Sequence, residues 1–177
     1  DPARKIVDRS KWTDIIVANF TTSPMSEISA KSKAARQSML RHSGRPLLAA
    51  CETPSQLKKP LLAFDGSPKA KEALYVAAYL AKKHGLPLVV ASAASNDQLA
   101  SSIQYEARKY LSSHQIKATY IVEKEDPVEV IQKTADTFQC DFIIMGSYGF
   151  QPLIEMVAGS TVDRLIIKGD LPILICR

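Results

Sequence analysis

Three glycines and two hydroxyl residues near the C-terminal end of this 177-residue sequence are spaced as an anion cradle would need them. Gly146 and Gly149 are separated by two residues, and nine more precede Gly159, Ser160 and Thr161. Glycines let the backbone approach a phosphate closely, consecutive amides and a following helix N-terminus supply positive partial charge, and the hydroxyls of Ser160 and Thr161 add donors. Such a cradle needs no lysine. Gly146 and Gly149 by themselves would read as turn residues. A second group, Asp65, Gly66 and Ser67, follows an apolar run; its aspartate could face a ligand or satisfy only local amides.

Other chemistries fit less well. No Gly-Lys-Ser/Thr follows a strand and the six-residue dinucleotide fingerprint is missing, which excludes ordinary P-loop NTPases and dehydrogenases. Ser67 and Ser160 have no histidine or paired carboxylate nearby in sequence pattern to act as a base, so hydrolytic catalysis is unsupported. His42, His84 and His114 stand apart from one another and from Cys51, Cys140 and Cys176, and no zinc spacing forms.

The elements that must hold these residues are legible from Pro60 onward, where short β-rich runs alternate with helical patterns, as in βαβ units on a parallel sheet. Leu61 to Asp65 reads as a first strand. Lys69 to His84 is helical, with Ser67 as N-cap, Pro68 in the first turn and Gly85 as the stop. Pro87 to Ala93 is a second strand, Asp97 to Ser113 a helix, and Lys117 to Glu123 a third strand. Asp126 caps a helix opened by Pro127, and Asp141 leads into the fourth strand, Phe142 to Met145. A helix from about Gly159 to Lys168 and a fifth strand from Pro172 to Cys176 close the order. In open α/β sheets ligands bind beyond the carboxyl ends of the strands, and the candidate residues follow strands one, two and four there.

The segment before Pro60 resembles the end of the chain. Asp14-Ile15-Ile16-Val17-Ala18-Asn19 parallels Asp141 to Gly146, and Arg45-Pro46-Leu47-Leu48-Ala49 parallels Leu171 to Ile175. A helical pattern, Ser26 to His42, lies between the first two. The economical reading is a repeat whose first copy keeps only its last strand, helix and strand; chance likeness between two ordinary strand-helix-strand units is the alternative. Asn19 and Thr22 stand where the first copy would need glycines. The expected division is a partial first repeat with its linker in residues 1–56 and a complete domain in residues 57–177, Glu52 to Lys59 being the connector.

The glycine pattern and Leu62-Ala63-Phe64-Asp65-Gly66-Ser67 together resemble the universal stress protein family, across the whole span from Pro60 to Arg177. That resemblance implies an α/β fold with an open five-stranded parallel sheet flanked by helices, Rossmann-like and akin to adenine nucleotide alpha hydrolases, in strand order 3-2-1-4-5. It implies ATP as ligand, with or without Mg2+, held by Gly146, Gly149, Gly159, Ser160 and Thr161 around phosphates and ribose, by Asp65, Gly66 and Ser67 nearby, and by the backbone near Ala93 at the adenine. A regulatory stress-response module with slow or no hydrolysis follows, with one nucleotide per chain. The competing expectation is an interaction protein of the same fold with an empty pocket. The apolar fifth strand is expected to pair with Arg45 to Cys51, within the chain or across a homodimer.

Bulk properties set the surroundings. Of 23 Lys/Arg and 18 Asp/Glu, residues 1–56 hold nine and five, so nearly all of the +5 charge is N-terminal. Without interleaved aromatics this excess reads as a solvated face rather than a nucleic-acid surface. The longest apolar stretches fall far short of the roughly 20 residues of a membrane span. The first residues lack the apolar run of a secretory signal and the start looks internal. Three widely spaced cysteines suit buried thiols in a reducing, cytoplasmic compartment.

Overall fold

A computed structural model describes residues 2–20, 30–147 and 160–177. Six helices and seven strands are described: α1 (Pro2–Ser10), β1 (Ile16–Asn19), α2 (Ala30–His42), β2 (Leu47–Ala50), β3 (Pro60–Ala63), α3 (Pro68–His84), β4 (Leu88–Ala93), α4 (Asp97–Ser113), β5 (Ala118–Glu123), α5 (Pro127–Phe138), β6 (Phe142–Gly146), α6 (Thr161–Lys168) and β7 (Ile173–Cys176).

Local chemistry accounts for the helix boundaries. The Ser67 hydroxyl accepts from the Ala70 amide at 3.2 Å, Pro68 opens α3, and Gly85 ends it at φ 65°. Asp126 accepts from the Val128 amide at 3.0 Å ahead of Pro127 in α5. Asn96, which the sequence pattern did not single out, caps α4 through the Leu99 amide at 2.9 Å. Ser160 caps α6 and Gly169 ends it at φ 68°. Each cap satisfies an amide that has no carbonyl partner inside the helix, and its loss would cost about 1 kcal/mol.

All seven strands form one sheet in the order β1-β2-β7-β6-β3-β4-β5. The five-stranded sheet expected from the sequence is therefore corrected to seven strands with a different overall order, because the two N-terminal strands join the same sheet. Counted from β3, the strands of residues 57–177 run third, second, first, fourth, fifth within it. Every join is parallel except β2 with β7, which is antiparallel. β7 is paired on both edges inside the chain, so a dimer through this strand has no free edge to use. Among the described strands, β1 and β5 are outermost.

Successive residues of the buried strands divide between two cores. Leu61, Val89, Ile143 and Ile173 face one layer with α2, α5 and α6, while Leu62, Val90, Ile144 and Leu174 face the other with α3 and α4. This is the period-2 alternation of a sheet covered on both faces.

The N-terminal segment differs from expectation by one further element. α1 precedes β1 and packs on α2; its short run with Ile6 and Val7 falls outside the strand-helix-strand pattern that the sequence comparison matched. The connector between β2 and β3 is tied down by Asp141. Its carboxylate accepts from the amides of Lys58 at 2.9 Å and Lys59 at 2.7 Å, and its carbonyl accepts from the Ser55 hydroxyl at 2.6 Å.

Candidate functional site

Parallel strands followed by helices bring strand C-termini and helix N-termini to one end of the sheet. There, a cleft of about 190 Å³ opens beyond β3, β4 and β6. Its floor is made of small or apolar side chains from the strands: Ala63, Ala91, Ala93 and Met145, with Gly146 at the end of β6. The starts of three helices contribute to its walls: Ser67 and Ala70 of α3, Pro127 of α5, and Ser160, Thr161 and Val162 of α6. Typical small-molecule sites run to roughly 300–1,000 Å³; residues 148–159 lie outside the described residues.

Six residues singled out from the sequence therefore meet here: Asp65, Ser67, Ala93, Gly146, Ser160 and Thr161. Gly66 does not line the cleft; it occupies a turn at φ 78° near Ile103 and Glu106, where its freedom from a side chain serves the backbone. Gly149 and Gly159 lie outside the described residues. The sequence reading missed Ala63, Phe64, Ala91, Ile131, Met145 and Val162, whose signal is their place at strand ends and on the inward face of helices.

Asp65, Gly146 and Ser160 each also have a local task. Asp65 accepts from the Ser67 amide at 2.9 Å, closing the turn between β3 and α3. A Cβ on Gly146 would lie 2.5 Å from the Lys69 carbonyl carbon and 2.6 Å from its oxygen, so glycine is needed for β6 to pass the first turn of α3. The Ser160 hydroxyl accepts from the Asp163 amide at 3.0 Å and donates to Asp163 Oδ2 at 3.1 Å.

The electrostatics of the cleft come from backbone rather than from side-chain cations. No Lys, Arg or His is among its described lining residues, and Asp65 is their one carboxylate. The N-termini of α3, α5 and α6 carry positive partial charge and favour an anion. Asp126, the α5 cap that precedes the lining residue Pro127, takes a two-point contact from Arg164 of α6 at 2.8 and 2.9 Å. That hydrogen bonding holds the Asp126 carboxyl below its usual value. Burial pushes the Cys140 thiol up to about 11 and the Cys176 thiol, at the end of β7, up to about 12, so neither is a ready nucleophile. Among the described residues no His, Cys, Asp and Glu side chains gather in threes as a cation site.

The sequence profile of the universal stress protein family matches residues 57–177, the span that carries β3 through β7 and the cleft. The chain belongs to the universal stress protein family. A curated relative from Thermus aquaticus, named as a universal stress protein in the QAH/OAS sulfhydrylase 3′ region, is 30% identical over 135 residues, 68% of this chain and 98% of its own length. The fold also matches a crystal structure of a universal stress protein from Archaeoglobus fulgidus DSM 4304, with TM-score 0.79 and 20% identity. All of this chain is covered there and 65% of that one, so the chain spans about two thirds of its length. A universal stress protein from Archaeoglobus fulgidus solved in complex with dAMP matches 70% of this chain and 100% of its own, with TM-score 0.54 and 19% identity. Among the described residues no helix is long and apolar enough to cross a membrane.

Proposed function

We propose that the cleft beyond β3, β4 and β6 binds an adenine nucleotide, ATP foremost, and that this chain is a nucleotide-sensing module of the stress response. The observation that carries this reading is the pairing of two kinds of surface in one cleft. Small strand residues, Ala63, Ala91, Ala93 and Gly146, leave a flat apolar floor for a base, and the helix starts at Ser67, Pro127 and Ser160 offer an anion-favouring wall. The dAMP complex of the Archaeoglobus relative supports the same ligand class. Gly149 and Gly159 complete the sequence pattern, and Mg2+ would accompany the phosphates if ATP is held as its magnesium complex.

Turnover is slow or absent in this reading. The described lining residues include no histidine, cysteine or lysine to act as base or nucleophile, and Asp65 is engaged with the Ser67 amide. Nucleotide occupancy would act by ordering the surroundings of Ser147 and Ser160 and changing what the protein associates with. Residues 1–56 are read as the remainder of a degenerate first repeat lacking the glycine pattern, so one nucleotide binds per chain. Three free thiols fit a reducing cytoplasm.

A second reading rests on a specific observation: Asp65, Gly146 and Ser160 all have structural partners without any ligand. On that reading the protein is an interaction module of the same fold that binds no nucleotide. Mass spectrometry of the purified, denatured protein separates the two. Co-purified adenine nucleotide supports the first reading; its absence, together with no calorimetric signal on adding ATP or AMP, supports the second.

A further inference from the structure

We propose that Arg36 of α2 is a positioning residue for the nucleotide cleft, acting through Asp163 to fix and electrically neutralise the start of α6; this rests on the nucleotide reading above. Arg36 and Asp163 are each 4% exposed, 127 residues apart in sequence, and belong to opposite ends of the chain. Arg36 Nε donates to Asp163 Oδ1 at 3.0 Å, and Nη2 lies 2.9 Å from the same oxygen. Gln37 Nε2 donates to Oδ2 at 3.3 Å, and the Ser160 hydroxyl donates to Oδ2 at 3.1 Å.

The arrangement is a capping pair with a cation attached. Ser160 at the N-cap and Asp163 three residues on satisfy each other, the hydroxyl accepting from the Asp163 amide and donating to its carboxylate. In an ordinary surface helix the carboxylate would stay solvated. Here it is buried directly beside Ser160, Thr161 and Val162, all of which line the cleft. An uncompensated carboxylate at that point would repel the phosphates that the helix start otherwise attracts. Burying such a charge without a partner is also strongly unfavourable. Arg36 cancels it from the far side, so the N-terminal segment contributes to a site it does not line.

This assigns Arg36 a charge-specific effect, not only a packing one. Removing the guanidinium should weaken binding in proportion to ligand phosphate charge. The test is isothermal titration of the full chain and of Arg36→Met, Arg36→Lys and Arg36→Met/Asp163→Asn with ATP, AMP and adenosine, with melting followed by circular dichroism. The expected result is that Arg36→Met loses about tenfold or more in ATP affinity, less for AMP and least for adenosine. Arg36→Lys and the double variant should recover most of the ATP affinity.

ATP binding unchanged in Arg36→Met would overturn the inference while leaving the nucleotide reading intact. Equal losses for ATP and adenosine that neither Arg36→Lys nor the double variant restores would overturn it too, reducing Arg36 to a fold-stabilising residue. An unaltered chain that binds none of the three ligands defeats the nucleotide reading itself, and the inference with it.

Discussion

Leu48 of β2 and Leu174 of β7 face each other at the centre of the one antiparallel join in the sheet, flanked by Leu47 with Ile175 and Ala49 with Ile173. On either side the next join is parallel and has matching register: Ile16 beside Leu47, and Ile143 beside Ile173. The entry hydrogen bonds match as well, from the Ile16 amide to the Pro46 carbonyl at 3.0 Å and from the Ile143 amide to the Pro172 carbonyl at 2.9 Å. These are the residue pairs that the sequence comparison aligned. The geometry around Leu48 and Leu174 is what a two-fold related pair of strand-helix-strand units would produce, and it supports the proposed repeat.

The close approach at Gly146 predicts a stability cost. Gly146→Ala places a methyl group against the Lys69 backbone, which cannot move aside as a side-chain tip would. Overpacking of this kind costs about 1–3 kcal/mol, and the urea midpoint should fall accordingly. A variant as stable as the parent would show that β6 and α3 can separate at no cost.

The thiols should divide by burial. Cys140 and Cys176 are buried and shifted up to about 11 and about 12, whereas Cys51 is only half-buried. Thiolate is the reactive form, so a disulfide reagent at pH 8 should label Cys51 first in native protein and all three after unfolding. Rapid native labelling of Cys176 would contradict its place at the core end of β7.

The Asp126–Arg164 contact predicts a pH dependence at the acid end. Asp126 is held below its ordinary 3.8 chiefly by hydrogen bonding to Arg164. A carboxyl with a lowered folded value stabilises the fold above its unfolded value and loses that contribution as pH falls through the folded one. Both side chains are more than a third exposed, so the effect should be under about 1 kcal/mol. Urea titrations of parent and Arg164→Met should differ at pH 6 and converge as the pH falls through the lowered folded value of Asp126. A gap that persists there would assign the effect to packing.

Much of this was readable in the sequence because the signals are local. Ser67 with Pro68, Asp126 with Pro127 and Gly169 mark helix ends by caps that involve neighbours two to four residues away. The alternation in Leu61-Leu62 and Ile143-Ile144 marks strands buried on both faces. α1 was not readable, since its nine residues are marginal as an isolated helix and are held by packing on α2. Nor was the Arg36–Asp163 pair, because nothing near either residue announces a partner 127 positions away. At the cleft, Asp65 and Ser160 were identified by type and spacing, but their local bonds to the Ser67 amide and to Asp163 depend on the folded backbone.

The β1 edge predicts a self-association hazard. Val17 is 62% exposed, on β1, the outermost described strand at this end of the sheet, and Trp12 is 88% exposed. Open apolar edges invite pairing with other chains, and a lysine there opposes it. Val17→Lys should leave the melting temperature within about a degree or two, in keeping with the small effects of surface changes, while reducing concentration-dependent association in light scattering. Unchanged association would move the sticky surface elsewhere.

The central claim is that the cleft between the starts of α3, α5 and α6 takes one adenine nucleotide per chain. Isothermal titration of ATP into the purified protein, after removal of any co-purified nucleotide, tests it most directly when run beside Gly149 and Gly159 variants carrying bulky side chains and Ala93→Leu at the apolar floor. Saturable binding near one ATP per chain, lost or strongly weakened in all three folded variants, is the predicted result; no binding by the parent, or equal binding by every variant, would contradict it.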